Sequence, residues 1–142
     1  MIAHLRDGVK PVLETLHTTY LGFAYGDSTS TTPKVPYFVL AGPSWGSPDE
    51  APVCGRDEAL DAEFRLTAVA GSPEGAAIIL GAARAILSPA GAWTPLAYVG
   101  RSVSVRFVRS EFVGIDPDLT IPATNRHPGV GVDTYRLVSE PH

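Results

Sequence analysis

The feature that most constrains this chain lies between residues 60 and 87, where one periodicity replaces another across two residues. In LDAEFRLTAVA (60–70), Ala62, Phe64, Leu66 and Ala68 alternate with Glu63, Arg65 and Thr67. Successive side chains of a strand point to opposite faces, so this is a strand with one face buried. After Gly71 and Ser72, the stretch PEGAAIILGAARAIL (73–87) abandons alternation. Ser72 stands where an N-cap belongs, and Pro73 takes the first helical position, where a missing N–H costs nothing. Glu74 puts a carboxylate in the first turn, at the positive end of the helix dipole. Strand, glycine and helix N-terminus is also how phosphate is cradled. Glu74 repels an anion there, however, Pro73 removes a donor, and the chain has neither G-x-G-x-x-G nor G-x-x-x-x-G-K-[ST]. The unit is a capped helix.

The remaining segments extend this layered plan. Ile2, Leu5, Val9, Val12, Leu13 and Leu16 recur at helical spacing over residues 2–17, with Pro11 expected to kink the helix or to start a second short one. VPYFVL (35–40) reads as a strand, as does VDTYRLVS (132–139), and 93–112 reads as one or two strands turning at VGRS. In the second of these, Val103, Val105 and Phe107 alternate with Ser102, Ser104 and Arg106. GDSTSTTPK (26–34), the long stretch 41–59 with Trp45, and 114–131 read as polar or Pro/Gly-rich connections. The expectation is one α+β domain over 1–142: a mostly antiparallel sheet of four to five strands, two α-helices packed on it, and long Pro/Gly-rich loops.

Helix 73–87 leaves almost no polar face, since Arg84 is its one charge after Glu74. A helix apolar all round is covered on more than one side, or else its alanines are simply tolerated at the surface. On the first reading, Ile79, Ala82, Ala83, Arg84 and Ile86 form a subunit interface. Charged residues are 18% of the 142, below the roughly 25% usual in soluble domains, which also hints at surface covered by a partner. The formal charge of −4 excludes a basic footprint for gripping nucleic acid. The single cysteine, Cys54, allows no intrachain disulfide and suits a reducing compartment. MIAHLRDGVK lacks a signal-peptide core, and the longest apolar run, residues 76–80, is far too short to span a bilayer. A soluble protein made in a cytoplasm is expected.

Chemistry is sparse. Cys54 with His127 as base has no family signature around it. His4, His17, His127 and His142 include no H-x-x-x-H pair. Asp116 and Asp118 in DPD start like a calcium loop but lack the Gly and Glu that follow in one, so DPD reads as a turn. Asp57, Asp61 and Glu63 form either a carboxylate site or a solvated strand face. PSWGS is not G-x-S-x-G. Arg101, Arg106 and Arg109 fall in the stretch 93–112, where Arg106 with Ser102 and Ser104 marks a polar sheet face that contacts an acidic partner or nothing. No catalytic residue, cofactor or metal is expected.

Taken in order, VPYFVL, LTAVAGSPEGAAIILGAARAIL, YVGRSV, GIDPDL and HPGVGVDTYRLVS resemble the tail terminator proteins of long-tailed bacteriophages, over roughly residues 35–139. The resemblance implies a structural virion protein, not an enzyme. It would be a homohexameric ring at the neck, assembled in the host cytoplasm, that caps the tail tube, ends its growth and joins it to the head connector. Its partners would be the tail tube protein and a head-completion (stopper) protein, with no membrane. Duplex DNA would pass through the lumen without specific binding, which an acidic wall favours by repulsion. The loops at 26–34 and 41–59 would reach neighbouring rings, with Trp45, Asp49, Glu50 and Arg56 as contacts. The alternatives are a head-side stopper or adaptor-type completion protein, and a small cytosolic ligand-binding or enzymatic α+β domain.

Overall fold

In the computed structural model, residues 2–22, 36–42, 60–115 and 127–141 are described. Six strands form one mixed sheet: β1 (Thr19–Leu21), β2 (Tyr37–Ala41), β3 (Leu60–Ala70), β4 (Thr94–Leu96), β5 (Arg101–Ile115) and β6 (Gly129–Pro141). Their spatial order is β1-β2-β3-β6-β5-β4. Two helical segments accompany it, α1 (residues 2–13) and α2 (Pro73–Leu87). The α+β class is as expected, but the strands number six and β1 runs parallel to β2, pairing Thr19 with Phe38. The other neighbours are antiparallel. Three-residue β1 is too short to show a period, which is why the sequence does not announce it.

Strand β3 spans the residues its alternation marks. Phe64, Leu66, Ala68 and Ala70 are buried on the helix side, while Asp61, Glu63 and Arg65 face outward. The β3–β6 register sets Phe64 against Tyr135, Leu66 against Asp133 and Ala62 against Leu137. On β5, Val103 and Val105 continue the same buried face. Onto it pack Leu5, Val9 and Leu13 of α1 and Ala76, Ile79, Leu80, Ala83 and Leu87 of α2. A smaller cluster of Tyr37, Val69 and Val130 sits at the opposite face.

Segment α1 is continuous through Pro11 because it widens before it. Ile2–His4 is α-helical, Leu5–Val9 is π-helical, and Lys10–Leu13 returns to α. In a regular α-helix the Pro11 ring would meet the carbonyl four residues back. Here Lys10 N–H reaches Leu5 O, five residues back, which loosens the turn that precedes the proline. The helix ends at Leu13, earlier than its apolar spacing suggests, where the Thr15 hydroxyl bonds Val12 O at 2.6 Å.

Helix α2 begins and ends as read from the sequence. The Ser72 hydroxyl accepts from Gly75 N–H at 3.1 Å, and Pro73 lies at the first helical position. Two glycines of β6 seat it. A Cβ on Gly129 would fall 2.0–2.2 Å from the Ser72–Pro73 backbone, and one on Gly131 would meet Leu80 Cδ1 at 2.6 Å. Strand β6 therefore begins at Gly129, within a stretch that reads as loop for want of large side chains.

Candidate functional site

At the centre of the helix–sheet interface lies a charged pair. Asp133 sits on the buried face of β6 with no exposure. Arg84 of α2 grips it with both prongs, Nε to Oδ2 at 2.6 Å and a terminal nitrogen to Oδ1 at 3.0 Å. Such forked, charge-assisted bonds are what a buried carboxylate requires. The hydrogen bond to Asp133 holds the Arg84 guanidinium above its ordinary pKa, against some loss from burial. Arg84 also lies 4.6 Å over the Phe107 ring. Beneath it, Tyr135 stacks on Phe64 at 5.4 Å and meets Phe107 edge-on at 5.6 Å. The Tyr135 hydroxyl is buried without a hydrogen-bond partner, and burial first, then the Asp133 charge, raises its pKa.

This geometry takes Ile79 and Ala83 out of the subunit-interface reading of α2 and leaves Ala82, Arg84 and Ile86 partly exposed. Ile79 and Ala83 are buried by the chain's own sheet, Ile86 packs partly against the same core, and Arg84 is engaged with Asp133. Ala82 is half-buried. The helix face the chain leaves open is Ala77, Ile78, Gly81 and Ala85, with Ile78 70% exposed. Trp45, Asp49, Glu50 and Arg56 lie outside the described residues, as do Cys54, Asp57, Asp116, Asp118 and His142.

A second apolar surface is one the sequence reading missed. Strand β4 covers β5 only from Val103 to Val105, so among the described residues the far part of β5 is bonded on one side, to β6. There Val108, Phe112, Val113 and Ile115 are 40–57% exposed. Two register shifts, between Phe107 and Arg109 and between Ser110 and Phe112, break the alternation. Bulges of this kind bend and twist an edge strand.

The outward face of the sheet is a ladder of charges. Arg136 Nε donates to Asp61 Oδ1 at 2.8 Å, and a terminal nitrogen completes the fork on Oδ2. Arg109 lies 3.7 Å from Glu63 and 3.1 Å from Glu111, and Arg65 lies 3.3 Å from Glu111. Asp61 and Glu63 are thus a solvated, ion-paired strand face. Hydrogen bonding to Arg136 holds the Asp61 carboxyl below its ordinary value. Toward β4 the face changes. Arg106 stands directly opposite Arg136, and Trp93 lies 5.7 Å from the Arg136 guanidinium. A cleft of about 320 Å³ is lined by Trp93, Ser102, Ser104, Val138 and Glu140. Another, of about 550 Å³, lies beside Asp7, Ala97, Tyr98 and Val99.

His4 Nε2 lies 2.9 Å from Ser139 Oγ, and Arg101 Nε donates to the same oxygen. Ser139 is fully buried and the His4 ring stacks on Tyr98 at 4.8 Å, so the group ties α1 to β5 and β6 with no open path to the hydroxyl. Among the described residues no three His, Cys, Asp or Glu side chains gather as a metal would require, and no helix is long and apolar enough to cross a membrane. Compared with family models, curated proteins and solved structures, the chain finds no match.

Proposed function

We propose that this chain is a structural ring protein of a long-tailed phage: a tail terminator that caps the tail tube and joins it to the head connector. The observation that carries the reading is unpartnered apolar surface on a small, charge-poor domain. The free flank of β5 exposes Val108, Phe112, Val113 and Ile115, and α2 exposes Ile78. Exposed apolar side chains gathered along one strand edge or helix face mark protein contacts. Two such surfaces on one chain suit a head-to-tail contact, the type that closes rings. The ordered segments from VPYFVL to HPGVGVDTYRLVS supply the likeness to terminators. The contact surfaces in this reading are the β5 flank and the open face of α2.

Negative-stain electron microscopy tests it, with the purified protein alone and mixed with phage tail tubes. The expected result is six-fold rings whose hole passes duplex DNA, about 20 Å across, or caps on tube ends. A monomer that ignores tubes overturns the reading. Binding to a portal-side ring instead of to tubes would make the protein a head-side completion protein.

A further inference from the structure

The outward face of the sheet divides into two halves that differ in how their charges are met. Across β3, β6 and the far part of β5, Asp61, Glu63, Arg65, Arg109, Glu111 and Arg136 all lie in ion pairs within the chain. Across β4, the near part of β5 and the end of β6, two charges have no ion-pair partner among the described residues: Arg106 and Glu140. The β5–β6 register orders this second half in three steps along the strands. Arg106 faces Arg136, Ser104 faces Val138, and Ser102 faces Glu140. The cleft lined by Trp93, Ser102, Ser104, Val138 and Glu140 runs beside them, with Trp93 41% exposed.

Two arginines directly opposite each other repel. Arg136 is held by Asp61; Arg106 has no such relief. A local conflict with no benefit to the fold points to recognition. The surface runs from positive at Arg106, through hydroxyls and the apolar wall of Trp93 and Val138, to negative at Glu140. Arg106 and Ser102 are four positions apart, or about 13 Å at strand spacing. An extended segment shows alternate side chains on one face at the same interval.

We infer that this cleft receives an extended segment of a partner protein carrying an acidic and a basic side chain four residues apart, with an apolar side chain midway. The acid lies at Arg106, the base at Glu140, and the apolar group against Trp93 and Val138. This surface is separate from the contacts proposed for ring assembly, and neither reading depends on the other.

The test is titration of the full-length protein with the peptide acetyl-Asp-Ser-Leu-Ser-Lys-amide, followed by the indole N–H resonance of Trp93, which W93F assigns. The expected result is a saturable shift of that resonance, weakened at least about threefold in R106E and in E140K. The double variant R106E/E140K recovers binding, because the segment then lies in the reverse direction. R106E also raises the Tm slightly, by replacing the Arg–Arg opposition, so stability and binding move in opposite directions. Three results overturn the inference: no shift of Trp93, equal affinity in wild type and both single variants, or equal binding of a control peptide with Asp at both ends. Rings or capped tubes by microscopy with an unresponsive Trp93 would leave the terminator reading standing alone. A responsive Trp93 in a protein that forms neither would leave only the cleft.

Discussion

At the scale of single residues, the interface between α2 and the sheet sets the sharpest expectations. Gly129 lets the β6 backbone touch the N-cap of α2, and the atoms a Cβ would strike are backbone, which cannot swing away. Gly129→Ala is therefore expected to cost about 3 kcal/mol or more by overpacking, read as a fall in the urea midpoint. Gly81 is the opposite case: it is exposed in mid-helix, and a methyl group added there would meet nothing within 4 Å. Gly81→Ala should stabilise the chain by up to about 1 kcal/mol through helix propensity alone. Between these lies the Arg84–Asp133 pair. Arg84→Ala strands a fully buried carboxylate and should cost about 3 kcal/mol. Replacing both partners at once, Arg84→Met with Asp133→Leu, should recover most of that loss. Equal urea midpoints for the single and double variants would show that the pair is not what holds α2 in place.

At the scale of elements, strand β3 was legible because it alternates from Leu60 to Ala68, and helix α2 because its start is marked by its capping residues. Alternation in β3 gives way only at Val69 and Ala70, where both faces are covered, and the Ser-Pro-Glu start of α2 is a stop-and-start signal written in three side chains. Strand β5 was legible only in its first half: Val103, Val105 and Phe107 alternate, then extra residues at the two register shifts reverse the phase. Beyond them, Phe112 and Val113 are neighbours in sequence and both exposed, which no period-two reading can produce. The charged pair was half-visible. Arg84 stood alone on an apolar helix, and Asp133 shares parity with Tyr135 and Leu137, but pairing across 49 positions needs the fold. The face of β3 and β6 carries its own prediction. Asp61 has a lowered pKa because Arg136 bonds its charged form. A depressed carboxyl contributes stability that is present above its unfolded-state value and is lost as pH falls through the folded value. The pair is solvent-exposed, so salt should weaken the contribution. In a pH titration followed by NMR, the Asp61 carboxyl should titrate below the usual range of about 3.9, and Arg136→Gln should return it there.

At the scale of the whole molecule, the sheet is strong in the middle and open at one side. Strands β3 and β6 are flanked on both edges over much of their length, and both helices press on their buried face. Among the described residues, the stretch 108–115 of β5 has a partner on one edge alone, interrupted twice. Local opening costs least where burial and flanking bonds are fewest. Amide hydrogen exchange should therefore show the slowest amides in the β3–β6 pair around Phe64–Ala68 and Gly131–Leu137, and much faster ones along 108–115. On the terminator reading that gradient would bear on assembly, because a surface that tightens on docking loses conformational freedom on binding and can be switched by its partner's arrival. If the β5 flank is the ring contact, protection along 108–115 should rise on mixing with tail tubes while the β3–β6 core stays unchanged. Slow exchange along 108–115 in the free protein would mean that the flank is already covered in solution, and the contact would then have to be sought on α2.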